Sequence, residues 1–95
     1  MSVSIGYLEV KLYIPHSHSL KEKRMVLKRL KERLKNKFNI AVSEISEHDR
    51  WQTGVIGVVT IAIDTRKADE TLEKVVAFIE KIYPGIVKGY HKEIL

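Results

Sequence analysis

Few side chains in this 95-residue chain are able to do chemistry, and they are spread thinly. His16 and His18 stand two apart in Pro15-His16-Ser17-His18-Ser19. An extended His-x-His presents two imidazoles on one side, as a metal site requires, but a third ligand must come from His48, His91 or scattered carboxylates. Loop histidines beside a helix start account for the same pattern, so no metal and no cofactor are expected. Free N–H groups at that helix start, with Ser17 and Ser19, suit a phosphate. Glu44, Glu47, Asp49 and Asp64 carry carboxylates for acid–base work, yet nothing in their spacing collects them. The chain has no cysteine, which removes thiolate nucleophiles, thiolate metal ligands and disulfides together. Gly54 and Gly57 belong to a strand rather than a glycine-rich phosphate loop, and no G-x-S-x-G elbow occurs. A non-catalytic protein is the expectation.

Charge is the stronger signal. The net charge is +5, but residues 21–37 hold nine basic and two acidic side chains, a local +7, against −2 for the rest. Lys21, Arg24, Lys28, Lys31 and Lys35 are spaced 3, 4, 3 and 4, so on a helix they form one row. The row flanks the apolar face over about 20 Å. Only Glu22 and Glu32 are near enough to relieve its self-repulsion, so the row costs stability unless an anion lies close. A polyanion is one partner that fits; an acidic protein is another, and stems snorkelling over a sheet edge are a third reading. Lys23 projects instead into the apolar sector near Leu20 and Leu27. It either reaches water at the helix end or pairs with a buried carboxylate, and the first is expected.

Trp51 lies in a polar run, Glu47-His48-Asp49-Arg50-Trp51-Gln52. With Arg50 it offers a second contact to nucleic acid, the indole stacking on a base. A Trp folded back as a cap on the core fits the same placement.

The elements that must position these residues follow from periodicity. Residues 3–14 alternate, with Leu8, Val10, Leu12 and Ile14 on one face and Tyr7, Glu9, Lys11 and Tyr13 on the other, which is a half-buried strand. Pro15 ends it. Ser19 offers an N-cap, and Leu20, Leu27, Leu30, Leu34 and Phe38 repeat at helical spacing over about 19–38. Residues 39–47 read as a strand in which Ile40 and Val42 disagree in phase with Ile45, so a bulge is expected. Residues 48–53 are loop. Residues 54–63, almost wholly apolar and β-branched, suit a central strand. Ala68, Leu72, Val75, Val76, Ile79 and Ile82 mark a second amphipathic helix that Pro84-Gly85 breaks. Residues 86–94 form a weakly patterned last strand.

The order β-α-β-β-α-β predicts an α+β, ferredoxin-like single domain over residues 1–95, with a four-stranded antiparallel sheet and both helices on one face. RNA-recognition domains of this topology stack bases on aromatics of the first and third strands. Here Tyr7 and Tyr13 face outward, but the third strand, read with Ile56, Val58, Thr60 and Ala62 outward, has no aromatic. So apolar an open face is expected to be covered by a second copy of the chain, giving a homodimer through Tyr7, Tyr13, Ile56 and Val58. No apolar run approaches about 18 residues, and the opening MSVSIGYLEV lacks signal-peptide features, so a cytoplasmic protein without a membrane contact is expected.

The segment SLKEKRMVLKRLKERLKNKFNIAVSEI, the later Asp49-Arg50-Trp51-Gln52 and the opening YLEVKLYIP closely resemble the YlxP-like family of small bacterial proteins, a domain of unknown function. The resemblance runs through most of the chain and is weakest in the last strand. It implies a ferredoxin-like fold. It also implies genes beside those for translation-initiation and ribosome-maturation factors, which favours ribosomal RNA as partner. It implies no established activity and no agreed catalytic residues. The leading expectation is an RNA- or ribosome-associated module in which Lys21, Arg24, Lys28, Lys31 and Lys35 contact phosphates, with Arg50 and Trp51 adding a second contact and little sequence preference. The alternatives are a homo-oligomeric scaffold for an acidic protein and a small-molecule-sensing or enzymatic dimer.

Overall fold

A computed structural model describes residues 2–95. The elements run β1 (Ser4–Tyr13), α1 (Leu20–Lys37), β2 (Ile40–Ser46), β3 (Thr53–Ala62), α2 (Thr65–Ile82) and β4 (Val87–Ile94). The four strands form one antiparallel sheet in the order β2-β3-β1-β4. Alternation along β1 sends Leu8, Val10 and Leu12 into the core and leaves Tyr7, Glu9, Lys11 and Tyr13 on the other face.

Both helices start at a cap. Ser19 is extended and accepts the Glu22 N–H at 3.1 Å, while Glu22 reaches back to accept the His18 N–H at 2.6 Å. Asp64 caps α2 by accepting the Lys67 N–H at 2.8 Å. The helices pack on the same side of the sheet. Leu27, Leu30 and Leu34 of α1 join Leu72, Val75 and Ile79 of α2 over the inward residues of β1 and β3 in one apolar cluster. α2 comes so close to β1 that a Cβ on Gly6 would lie 2.9 Å from Leu72 Cδ1, so a side chain there must displace Leu72. Gly85 takes the left-handed conformation (φ 81°) that turns the chain from α2 into β4.

The third strand corrects one reading. Ile56, Val58 and Thr60 face the helices and are buried; Val55, Val59 and Ile61 face outward with Gly57. The pairs Leu8–Val58 and Val10–Ile56 place these side chains beside the inward residues of β1. A nearly all-apolar strand carries no alternation to set its phase, and a slip of one residue exchanges its two faces. Ile56 and Val58 are therefore unavailable to a partner at the open face, which keeps Tyr7 and Tyr13. The irregularity expected in β2 is present. The register shifts between Glu44 and Ser46, which sends Ile45 to the open face over Gly57 while Ile40, Val42 and Glu44 point inward. No helix among the described residues is long and apolar enough to cross a membrane.

Candidate nucleic-acid interface

At 100° per residue, the row of five cations lies about 110° from the buried stripe of α1. The opposite flank turns toward α2. There the Arg33 guanidinium lies 5.6 Å and the Lys37 ammonium 5.2 Å from the Phe78 ring centroid. The row therefore occupies the flank away from α2, above β2, which is an edge of the sheet. Lys21, Arg24, Lys28 and Lys35 are exposed and Lys31 is half-buried. Among the described residues none of the five forms an ion pair.

Lys23, within one turn of Lys21 and Arg24, behaves differently. It is fully buried (0% exposed). Its ammonium donates to the carbonyls of Glu47 at 2.6 Å and Thr53 at 3.0 Å and lies 3.0 Å from Glu44 Oε2. The expectation that it reaches water is thus overturned. A stranded ammonium in an apolar core is costly, and the inward-pointing carboxylate of β2 with the carbonyls of Glu47 and Thr53 offsets that cost. Glu44 Oε2 is itself buried and accepts no directed hydrogen bond, so the ion pair is its one compensation. Glu47 adopts a positive φ of 65°, rare for a residue with a side chain, and its carbonyl takes both Lys23 and the Arg50 N–H. Gln52 adds three ties, its carbonyl accepting the Ile14 N–H at 2.7 Å and its amide donating to Pro15 O at 3.1 Å and Ser17 O at 3.4 Å.

The β2–β3 loop is therefore pinned to the start of α1, and it presents Arg50 and Trp51. Arg50 Nε pairs with Glu47 Oε2 at 2.8 Å on the surface. Trp51 is 55% exposed and does not cap the core. Arg50, with Tyr13 and Thr53, also lines a hollow of about 360 Å³ at this end of the open face. Lys11 and Lys88 line it too. Sequence reasoning missed these two lysines, because only the pairing of β1 with β4 brings them together. His16 and His18 lie in the turn before α1, and among the described residues no three His, Cys, Asp or Glu side chains gather as a metal site would need. On the open face, burial and then the Glu9 charge push the Tyr7 phenol above its usual 10.0.

The model of a family described as a protein of unknown function (DUF503) matches residues 5–87. The chain belongs to that family. It is 41% identical over 82 residues to the uncharacterized protein YlxP of Bacillus subtilis (strain 168), covering 86% of this chain and 88% of that one. Among solved structures, the de novo designed protein Foldit4 superposes with a TM-score of 0.57 at 13% identity, over 99% of this chain and 97% of the design. A de novo designed protein with ferredoxin fold gives 0.55 at 15% identity, over 95% and 83%. These designs establish the ferredoxin-like fold and carry nothing about activity.

Proposed function

We propose that this DUF503 member is a non-catalytic RNA-binding module of the cytoplasm that lays the cationic flank of α1 along a structured RNA such as ribosomal RNA. The observation that supports this is the row itself: Lys21, Arg24, Lys28, Lys31 and Lys35 line one flank with no carboxylate paired to any of them among the described residues. A row about 21 Å long follows several phosphates of one strand. Such contacts fix position and carry no sequence information. Arg50 and Trp51, on the loop that Lys23 holds against the start of α1, supply the secondary contact.

The test is binding of a structured ribosomal RNA fragment at several salt concentrations, for the native protein and a variant with all five row residues changed to Gln. Five phosphate contacts give a log–log salt slope of about −3.5 to −4.5, which collapses in the variant. A weak, salt-insensitive curve for both proteins overturns the reading, and capture of an acidic protein by the row would then be the account of it.

The open face supports a second reading, self-association. Ile5, Val59 and Ile61 are exposed at the end of the sheet away from the hollow, and Ile45 is exposed over Gly57, nearer to it. A two-fold contact of that patch with its copy buries it. Light scattering at micromolar concentration should give a dimer for the native chain and a monomer for Val59→Lys. A native monomer removes the reading.

A further inference from the structure

We propose that the hollow where β1, β3 and β4 meet the β2–β3 loop is a binding site for a phosphorylated nucleoside, with the base against Trp51 and Tyr13 and the phosphate among Lys11, Arg50 and Lys88. This deepens the RNA reading, because Arg50 and Trp51 are its secondary contact, but it rests mainly on residues that the α1 row does not include.

Three observations converge. The first is charge. Lys11, Arg50 and Lys88 line a hollow in which the sole carboxylate is that of Glu47, already paired with Arg50. Neither Lys11 nor Lys88 has an ion-pair partner among the described residues. The Lys88 ammonium lies instead 5.1 Å from the centroid of the Tyr13 ring, and Lys11 lines the same hollow beside it. Glu9 and His91 lie farther out, in the adjoining depression that Lys11 and Lys88 also line.

The second is shape. The hollow, about 360 Å³, is lined by Tyr13, Val55 and Gly54 beside the three cations, and a second hollow that shares Tyr13, Arg50 and Thr53 with it is lined by Trp51. That volume falls at the lower end of the range for small-ligand sites, and mostly apolar walls with a few converging charges are what such sites share. A planar apolar ring with an anionic tail matches this division: base on the aromatic side, phosphate on the lysines.

The third is preorganisation. A large indole left in water on a loop is a poor use of apolar surface unless something stacks on it. This loop does not sag back onto the core, because Lys23 and Gln52 hold it from beneath. Trp51 is therefore held out at the rim before any ligand arrives, which lowers the ordering cost of binding.

A free nucleotide and an unpaired nucleotide of an RNA strand share this chemistry, and the experiment separates them. Trp51 is the only tryptophan, so its fluorescence reports the site directly. The full chain is titrated with AMP, adenosine, inorganic phosphate and a tri-adenylate. AMP should quench Trp51 saturably, with adenosine and phosphate each at least about tenfold weaker, since each lacks half of the recognition. A tri-adenylate binding about tenfold tighter than AMP assigns the site to RNA, and equal affinity assigns it to a free nucleotide. The Lys11→Gln/Lys88→Gln variant, altered only at exposed side chains, should lose about tenfold in AMP affinity while its circular dichroism stays that of the native fold. Calorimetry on Trp51→Ala should show a loss at least as large. The five-residue α1 variant should still bind AMP, so failure of the row and failure of the hollow read differently. No saturable quenching by AMP or tri-adenylate at millimolar concentration overturns the proposal, as does undiminished binding by the double-lysine variant or phosphate binding as tight as AMP.

Discussion

Lys23→Met tests the account of how the interface is held together. Methionine keeps an unbranched apolar stem in place of the lysine stem and removes only the ammonium. Two carbonyls, of Glu47 and Thr53, lose a charged donor, and the Glu44 carboxylate loses its counter-ion. Removing one partner of a buried pair costs about 3–5 kcal/mol. The Glu44 side chain keeps 15% of its surface exposed and recovers some hydration, which places the cost near about 3 kcal/mol. A domain of this length holds about 5–14 kcal/mol in total. The variant should therefore fold, with a midpoint lowered by about 12–24 °C at about 4–8 °C per kcal/mol. Melting followed by circular dichroism measures this. Glu44→Gln leaves the ammonium its carbonyls and should cost less. The Lys23→Met/Glu44→Gln double variant should fall short of the sum of the two by about 0.5–3 kcal/mol, the coupling of groups in contact. A single Lys23→Met variant within about 0.5 kcal/mol of the native protein, the range of an ordinary surface change, would refute the burial argument.

Two other outcomes follow from packing and charge. Gly6→Ala forces its new methyl to within 2.9 Å of Leu72 Cδ1 and should cost about 1–3 kcal/mol in urea denaturation, whereas Gly89→Ala, with open space around it, should cost less than half as much. The hydrogen bond from Lys92 to Asp69 (2.7 Å) holds the ammonium above its ordinary 10.5, and the bond from Tyr90 to Glu73 (3.1 Å) holds the phenol above 10.0. Both groups bind protons more tightly when folded, so their contribution is complete below about pH 10 and is lost as pH rises through the raised values. Stability should fall on going from pH 9 to pH 12, and Lys92→Met should flatten that fall; an unchanged slope in the variant counts against the β4–α2 tie.

Much of this architecture is readable from residue order because the signals are local. Alternation along β1, the serine before α1 and the Pro84-Gly85 break each act within a few positions of themselves. The clash of phase between Val42 and Ile45 was enough to foresee the bulge. β3 defeated the same method for the reason that makes it a good central strand, since both of its faces are apolar and only its pairing with β1 distinguishes them. Lys23 was misread because its partners, Glu44 on β2, Glu47 in the following loop and Thr53 at the start of β3, are brought to it only by the fold. The five-residue row needed only helix geometry and was legible, whereas Lys11 and Lys88 come from strands at opposite ends of the chain. β4 looked weak because its inward positions include Tyr90 and Lys92, whose polar ends are taken up by acids of α2.

The place of the α1 row above β2 has a consequence for the protein at high concentration. β2 borders the sheet, and its outer backbone N–H and C=O groups are free to recruit a strand from another molecule. A fence of positive charge along that border makes two identical molecules repel each other there, so the lysines guard against stacking of sheets into fibres whatever else they contact. A protein neutralised along the row loses that guard, and slow precipitation on storage is the fate its chemistry implies.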